Sequence, residues 1–190
     1  MNAHTNRDEI AGGRYGDLTA SDTLRLERLL PGPIERVWTW LTDPGKRGQW
    51  LASGPMDQRV GGRVELVFRN SDIVGKDDPP PPKYADLAPE SRMLGTITEC
   101  EPPYRLTYTW NEGGGESLVT FELASRGKDV LLVLTHTRIA AREDLIAIAA
   151  GWHTHVGILI DRLQGRAPQP FWPVHMRLEA DYEERFSRAT

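Results

Sequence analysis

Histidine, cysteine and tryptophan are the residue types in this chain that could carry chemistry, and their spacing limits what that chemistry is. His153 and His155 stand two apart in a stretch of helical period. Two histidines on one helix share a metal ion when they lie three or four residues apart, because only then do both rings face one way. A separation of two turns them about 200° from each other, so no metal site is expected. His136 sits late in a strand-like run, and no carboxylate spacing completes a ligand set around it. His153 reads first as a pocket-lining or hydrogen-bonded core histidine; were the cavity an enzyme's, His136 and His153 are the candidates for general acid–base work, with Glu65 or Tyr108 as helpers, and no catalytic residue is assigned. Cys100 precedes Glu101-Pro102-Pro103 with no base or helix N-terminus beside it to form a thiolate. It reads as a structural cysteine. There is no G-x-S-x-G nucleophile motif. Gly113-Gly114-Gly115 lacks the following Lys-Ser/Thr of a phosphate loop and reads as a hairpin turn. No cofactor is implied.

The aromatic residues say more. The chain has six tryptophans. Trp38, Trp50, Trp110 and Trp152 fall in elements that should surround one interior, and Tyr108 shares a strand face with Trp110. A ligand cavity is mostly apolar wall with a few polar groups that orient the ligand. The candidate contacts are Trp50 and Phe68 from the first half, Tyr108, Trp110 and His136 from the strands, and Trp152, His153 and Val156 from the long helix. The competing reading is that these rings fill a core, and Trp38 fits that best. Trp40 falls off the apolar stripe of its helix and is expected to be partly exposed or to face a partner.

Those residues need elements to hold them. Leu24 and Leu26 alternate with Arg25 and Glu27, which is strand period. Pro33 suits a helix start, and Ile34, Val37, Trp38 and Leu41 then follow helical spacing. Strand period returns at Val64, Leu66 and Phe68 after a Gly61-Gly62 turn, and again over 92–100, 104–110, 117–124 and 130–138. Short turns between these runs predict antiparallel pairing. Residues 142–164 form a long helix with a wide apolar face, and 174–188 a shorter amphipathic one. The Pro-rich insert 69–91 holds four consecutive prolines, Pro79 to Pro82, and cannot be a central strand. It is either a solvated loop or a lid. Residues 1–20 read as a mobile tail, 21–165 as one domain, and 166–190 as a C-terminal extension. The fold class is α+β, with helices segregated from an antiparallel sheet.

Composition excludes several classes. Twenty-seven acidic against 23 basic residues give a net charge of −4, which argues against nucleic acid and anionic membrane as partners. One cysteine permits no disulfide framework. No apolar run reaches the roughly 20 residues of a spanning helix, and no signal peptide opens the chain, so a cytoplasmic location is expected.

The segments PIERVWTWLTDPGKRGQWL, GGRVELVF, GTITECEPPYRLTYTW, VLLVLTHTRI and GWHTHVGILIDRLQG occur in that order over residues 22–165. Together they resemble the START-like superfamily (SRPBCC, Bet v-like), and within it the branch similar to the C-terminal domain of the activator of the heat-shock-protein-90 ATPase. The resemblance implies a helix-grip fold, a curved antiparallel sheet of six to seven strands wrapped round a long C-terminal helix with an apolar pocket between them. It also implies that His136 matches a histidine recurrent in the branch. The insert and the extension depart from the family pattern. Three functions fit: binding a small apolar or amphipathic molecule in the cavity, a cyclase or dehydratase using the same cavity, or a protein-interaction module or chaperone co-factor. Phe171-Trp172 and the last helix offer a route to a homodimer.

Overall fold

A computed structural model describes residues 15–75, 78–87, 89–112 and 115–188. Its seven strands are β1 (Asp17–Ala20), β2 (Thr23–Pro31), β3 (Arg63–Phe68), β4 (Ser91–Glu101), β5 (Arg105–Glu112), β6 (Gly115–Arg126) and β7 (Asp129–Thr137). They make one antiparallel sheet in the order β1-β2-β7-β6-β5-β4-β3. Helices α1 (Ile34–Thr42) and α2 (Pro44–Arg47) fill the excursion from β2 to β3. The long helix α3 (Arg142–Leu163) and then α4 (Phe171–Arg188) complete the chain. This is the helix-grip arrangement. β2 buries Leu24, Leu26 and Leu30, β7 buries Val130, Leu132, Leu134 and His136, and α3 adds Leu145, Ala149, Val156 and Leu159 to the same core. The turn expected at Gly113 to Gly115 falls largely outside the described residues, and β5 and β6 pair up to its edge at Glu112 and Gly115.

Expectations at the tail, at Trp40 and at the insert need correction. Residues 15–20 are not a mobile tail. β1 pairs with β2, Leu18 opposite Leu24. The Tyr15 hydroxyl donates to Asp181 at 2.7 Å, and the Gly16 N–H donates to the Tyr182 hydroxyl at 2.8 Å. Those partners lie on α4, so no local periodicity could announce them. The rest of the expected tail, residues 1–14, lies outside the described residues.

Trp40 is buried, not partly exposed. Its carbonyl accepts the Trp50 indole N–H at 2.8 Å, because the chain after α2 folds back over α1. The extension is likewise committed to its own chain. Phe171, Trp172, Leu178, Tyr182 and Phe186 of α4 are all buried. These apolar side chains, which offer a route to a homodimer, are packed within this chain.

The insert is neither a free loop nor a strand. It carries a short 3-10 helix, Pro82–Leu87, and lies on α4. The buried Asp78 carboxylate accepts the Trp172 backbone N–H at 2.9 Å, and the Trp172 indole N–H donates to Ser71 Oγ at 3.0 Å. Tyr84 stacks on Trp172 with ring centroids 5.3 Å apart. The Lys83 ammonium and the Tyr84 hydroxyl both donate to the Glu179 carboxylate. The two segments that depart from the family pattern thus clasp each other. Among the described residues, no helix is long and apolar enough to cross a membrane.

Candidate functional site

The space between sheet and α3 holds one contiguous cluster of buried apolar side chains. Trp50, Tyr108 and Val156 are fully buried there. The hollow lies at one end, where α3 leaves the sheet and meets the clasp. It is a cavity of about 320 Å³, open to solvent on one side. Phe68, Met93 and Trp110 come from the sheet, Ile148, Gly151, Trp152 and His155 from α3, Tyr84 from the insert, and Phe171, Trp172 and His175 from α4. Its volume is about that of ten waters in the liquid, at the small end of ligand sites. A second hollow of about 360 Å³ between α2 and the start of the insert has no aromatic wall.

Of the residues singled out in the sequence, Phe68, Trp110 and Trp152 border this cavity. Trp110 and Trp152 meet with centroids 5.0 Å apart, and Phe68 stands edge-on to Trp110 at 5.7 Å. Trp50, Tyr108, His136, His153 and Val156 do not border it. Trp50 and Tyr108 pack in the core, and burial pushes the Tyr108 hydroxyl far above its ordinary value. His153 faces away from the cavity and shares a hydrogen bond of 3.0 Å with the Tyr182 hydroxyl. Glu65 faces the surface, where it accepts from Arg92 at 3.1 Å. The residues expected to act together as acid and base therefore do not converge.

His136 supports the wall from behind. The Trp152 indole N–H donates to His136 Nδ1 at 3.0 Å. An indole nitrogen only donates, so Nδ1 holds a lone pair and the proton is on Nε2. Nε2 then donates to Ser117 Oγ at 2.8 Å, and Ser117 donates to the Trp110 carbonyl at 2.9 Å. The chain of bonds runs one way and ends on a backbone acceptor. A second proton on His136 would point at the Trp152 N–H. Burial already holds the ring well below its usual value, at about 3. His136 is a neutral brace that fixes both tryptophans, and its position opposite Val119 and Leu24 in the sheet places it there.

Two histidines absent from the sequence-based site do border the cavity. His155 is buried, and its Nδ1 lies 2.7 Å from the Trp50 carbonyl. A carbonyl only accepts, so Nδ1 carries the proton and Nε2 of the neutral ring keeps a lone pair. Burial lowers this ring to about 4 despite the Trp50 bond. His175 stacks on Phe171 with centroids 5.4 Å apart, and neither of its nitrogens has a hydrogen-bond partner. Its Nε2 lies 4.0 Å from the Glu179 carboxylate, and burial holds the ring at about 4. The wide spacing of Phe68, Trp152 and Phe171 along the chain gave no local signal for either histidine.

Gly151 shapes the floor. It sits in mid-helix, and a Cβ added there would meet nothing within 4 Å. Glycine costs a helix interior about 1 kcal/mol relative to alanine. No packing neighbour offsets that cost; what the missing side chain leaves is cavity space.

A family model described as Activator of Hsp90 ATPase homolog 1-like protein matches residues 31–164. The chain belongs to this family. The model stops short of α4, so Phe171, Trp172 and His175 lie outside the matched region. Among solved structures, the chain is similar to a Bordetella parapertussis protein encoded by gene BPP1335, at 41% identity over 92% of each chain with a TM-score of 0.77. It is similar to CalU16 from Micromonospora echinospora, at 24% identity over 87% of this chain and 86% of that one, TM-score 0.63. It also resembles DynU16, a putative protein in the dynemicin biosynthetic locus, at 22% identity over 78% of this chain and 49% of that one, TM-score 0.60. The last two likenesses show the fold alone. No curated protein matches the chain. The family's fold is one that accommodates a ligand cavity between sheet and helix.

Proposed function

We propose that the protein binds a small, largely apolar molecule in the cavity enclosed by α3, the end of the sheet and the clasp of insert and α4. The observation that carries this reading is Gly151. A helix gives up stability at a position where its own chain has nothing to fit, and that position faces a cavity walled by aromatic rings. Burying apolar surface there contributes about 25 cal/mol per Å² to binding. The clasp acts as the cover, since Tyr84, Phe171 and Trp172 form one wall and are tied down by Asp78 and Glu179.

A docking function on the outer surface finds less support. It relied on Trp40 and on Phe171-Trp172, and all three are buried. A turnover function would have to use other groups than His136 and His153, since neither borders the cavity.

Native mass spectrometry of the purified protein tests the proposal, together with thermal shifts against a panel of one- and two-ring aromatic compounds. Bound compound or stabilisation is expected for the wild-type chain, with loss of both in Gly151→Leu, whose side chain would occupy the floor. A wild-type protein that carries nothing and is stabilised by no member of the panel would remove the proposal.

A further inference from the structure

The cavity's polar groups narrow the class of molecule it takes, on the footing of the binding function proposed above. We infer that the ligand is an uncharged aromatic compound with a hydroxyl group, a phenol or naphthol, whose O–H donates to Nε2 of His155.

The argument has three parts. First, the wall is aromatic on several sides, with Trp110 and Trp152 at 5.0 Å and Phe171 against His155 at 4.8 Å. Flat rings with edge and face contacts suit such a wall better than a flexible chain does. Secondly, among the described residues, Arg92 is the one lysine, arginine or carboxylate residue bordering the cavity. Arg92 is exposed and already bonded to Glu90 and Glu65. A carboxylate or ammonium group inside would be buried without an opposite charge, which is costly. Thirdly, the Trp50 carbonyl fixes the proton of His155 on Nδ1. The lone pair on Nε2 is then a built acceptor on a residue only 6% exposed. Burial keeps the ring neutral, so it stays an acceptor at neutral pH.

The same cavity also holds unmet hydrogen-bonding capacity. Among the described residues, buried side-chain atoms without a hydrogen-bond partner occur on Arg28, Arg47, Asn70 and His175. The last two border the cavity. A wall designed only for hydrocarbon would not gather such groups, because each costs free energy when left unpaired.

Isothermal titration calorimetry with 2-naphthol, 2-methoxynaphthalene and naphthalene tests the inference. Methylation removes the donor and leaves two acceptors facing each other, so 2-naphthol should bind at least about tenfold more tightly than its ether. Naphthalene, smaller and more apolar, should also bind more weakly than 2-naphthol. In His155→Asn an amide N–H can still serve the Trp50 carbonyl while Nε2 is gone, and the preference should fall to near unity. A second measurement needs no variant: the Nε2 nitrogen resonance of His155 in the wild-type protein should move on adding 2-naphthol and stay in place with the ether. Equal affinity for the three compounds, or a resonance that 2-naphthol leaves unmoved, overturns the hydroxyl assignment and leaves cavity binding intact. Binding of none of them, with no stabilisation across the aromatic panel, overturns both.

Discussion

Lowering the pH from 7.5 to 5 should destabilise this protein severely, through three buried imidazoles. His136, His155 and His175 are held at about 3, 4 and 4, in each case chiefly because burial removes the charged form from water. In the unfolded chain each ring returns to about 6.5. Between those values the unfolded state binds more protons than the folded one, so stability rises with pH. The contribution is complete above about pH 7 and is lost as the pH falls from 6.5 toward 4. At pH 5 each ring costs about 2 kcal/mol relative to pH 7.5, and the three together about 6 kcal/mol. That is comparable with the whole stability of a typical domain, about 5–15 kcal/mol. Urea unfolding at half-unit pH steps measures it, with a slope near three protons around pH 5.5. His175→Phe keeps the stacking ring against Phe171 and discards two unpartnered nitrogens. It should remove about one third of the pH dependence and leave neutral-pH stability unchanged or higher. An unfolding free energy that stays within about 1 kcal/mol between pH 7.5 and 5 would refute the reasoning.

Three further outcomes are expected. Gly151→Ala should stabilise the apo protein by up to about 1 kcal/mol, because its Cβ enters open space, while weakening ligand binding; differential scanning calorimetry and titration of one preparation read both. Ser117→Ala should cost about 1–3 kcal/mol in denaturant unfolding, since it leaves the His136 Nε2–H buried and unpaired, and it should change the tryptophan emission. Asp78→Ala should speed amide hydrogen exchange at Trp172 and across 69–91 with little effect on the central strands, because it frees the clasp from the start of α4.

The sheet and its helices were legible in the sequence because their causes are local. Alternation in β2 and β7 and the threefold and fourfold steps of α1 each follow from one buried face, which a single segment displays, and α3 announces itself by its long apolar run although residues 152–156 are buried on both sides. The separation of His153 from His155 was legible for the same reason, and the two rings do bond on different sides of α3, to Tyr182 and to the Trp50 carbonyl. Where the hollow falls was not legible. Phe68, Trp110 and Trp152 border it while Trp50, Tyr108 and Val156 do not, although all sit on apolar faces. Only packing distinguishes an apolar side chain that meets a neighbour from one that meets a void.

The sequence by itself determined most of the elements, the antiparallel pairing of strands joined by short turns and the aromatic character of the interior. The tertiary structure decided the ends of the domain and the chemistry of the site. Tyr15 finds Asp181, Asp78 finds Trp172 and Lys83 finds Glu179 across roughly a hundred residues or more. A pairing that distant leaves no period in the chain, because polar residues hydrogen-bond wherever the fold delivers a partner. His136 shows the difference most plainly. Its residue type suggested proton transfer, whereas an indole on one nitrogen and a serine on the other leave it a neutral brace.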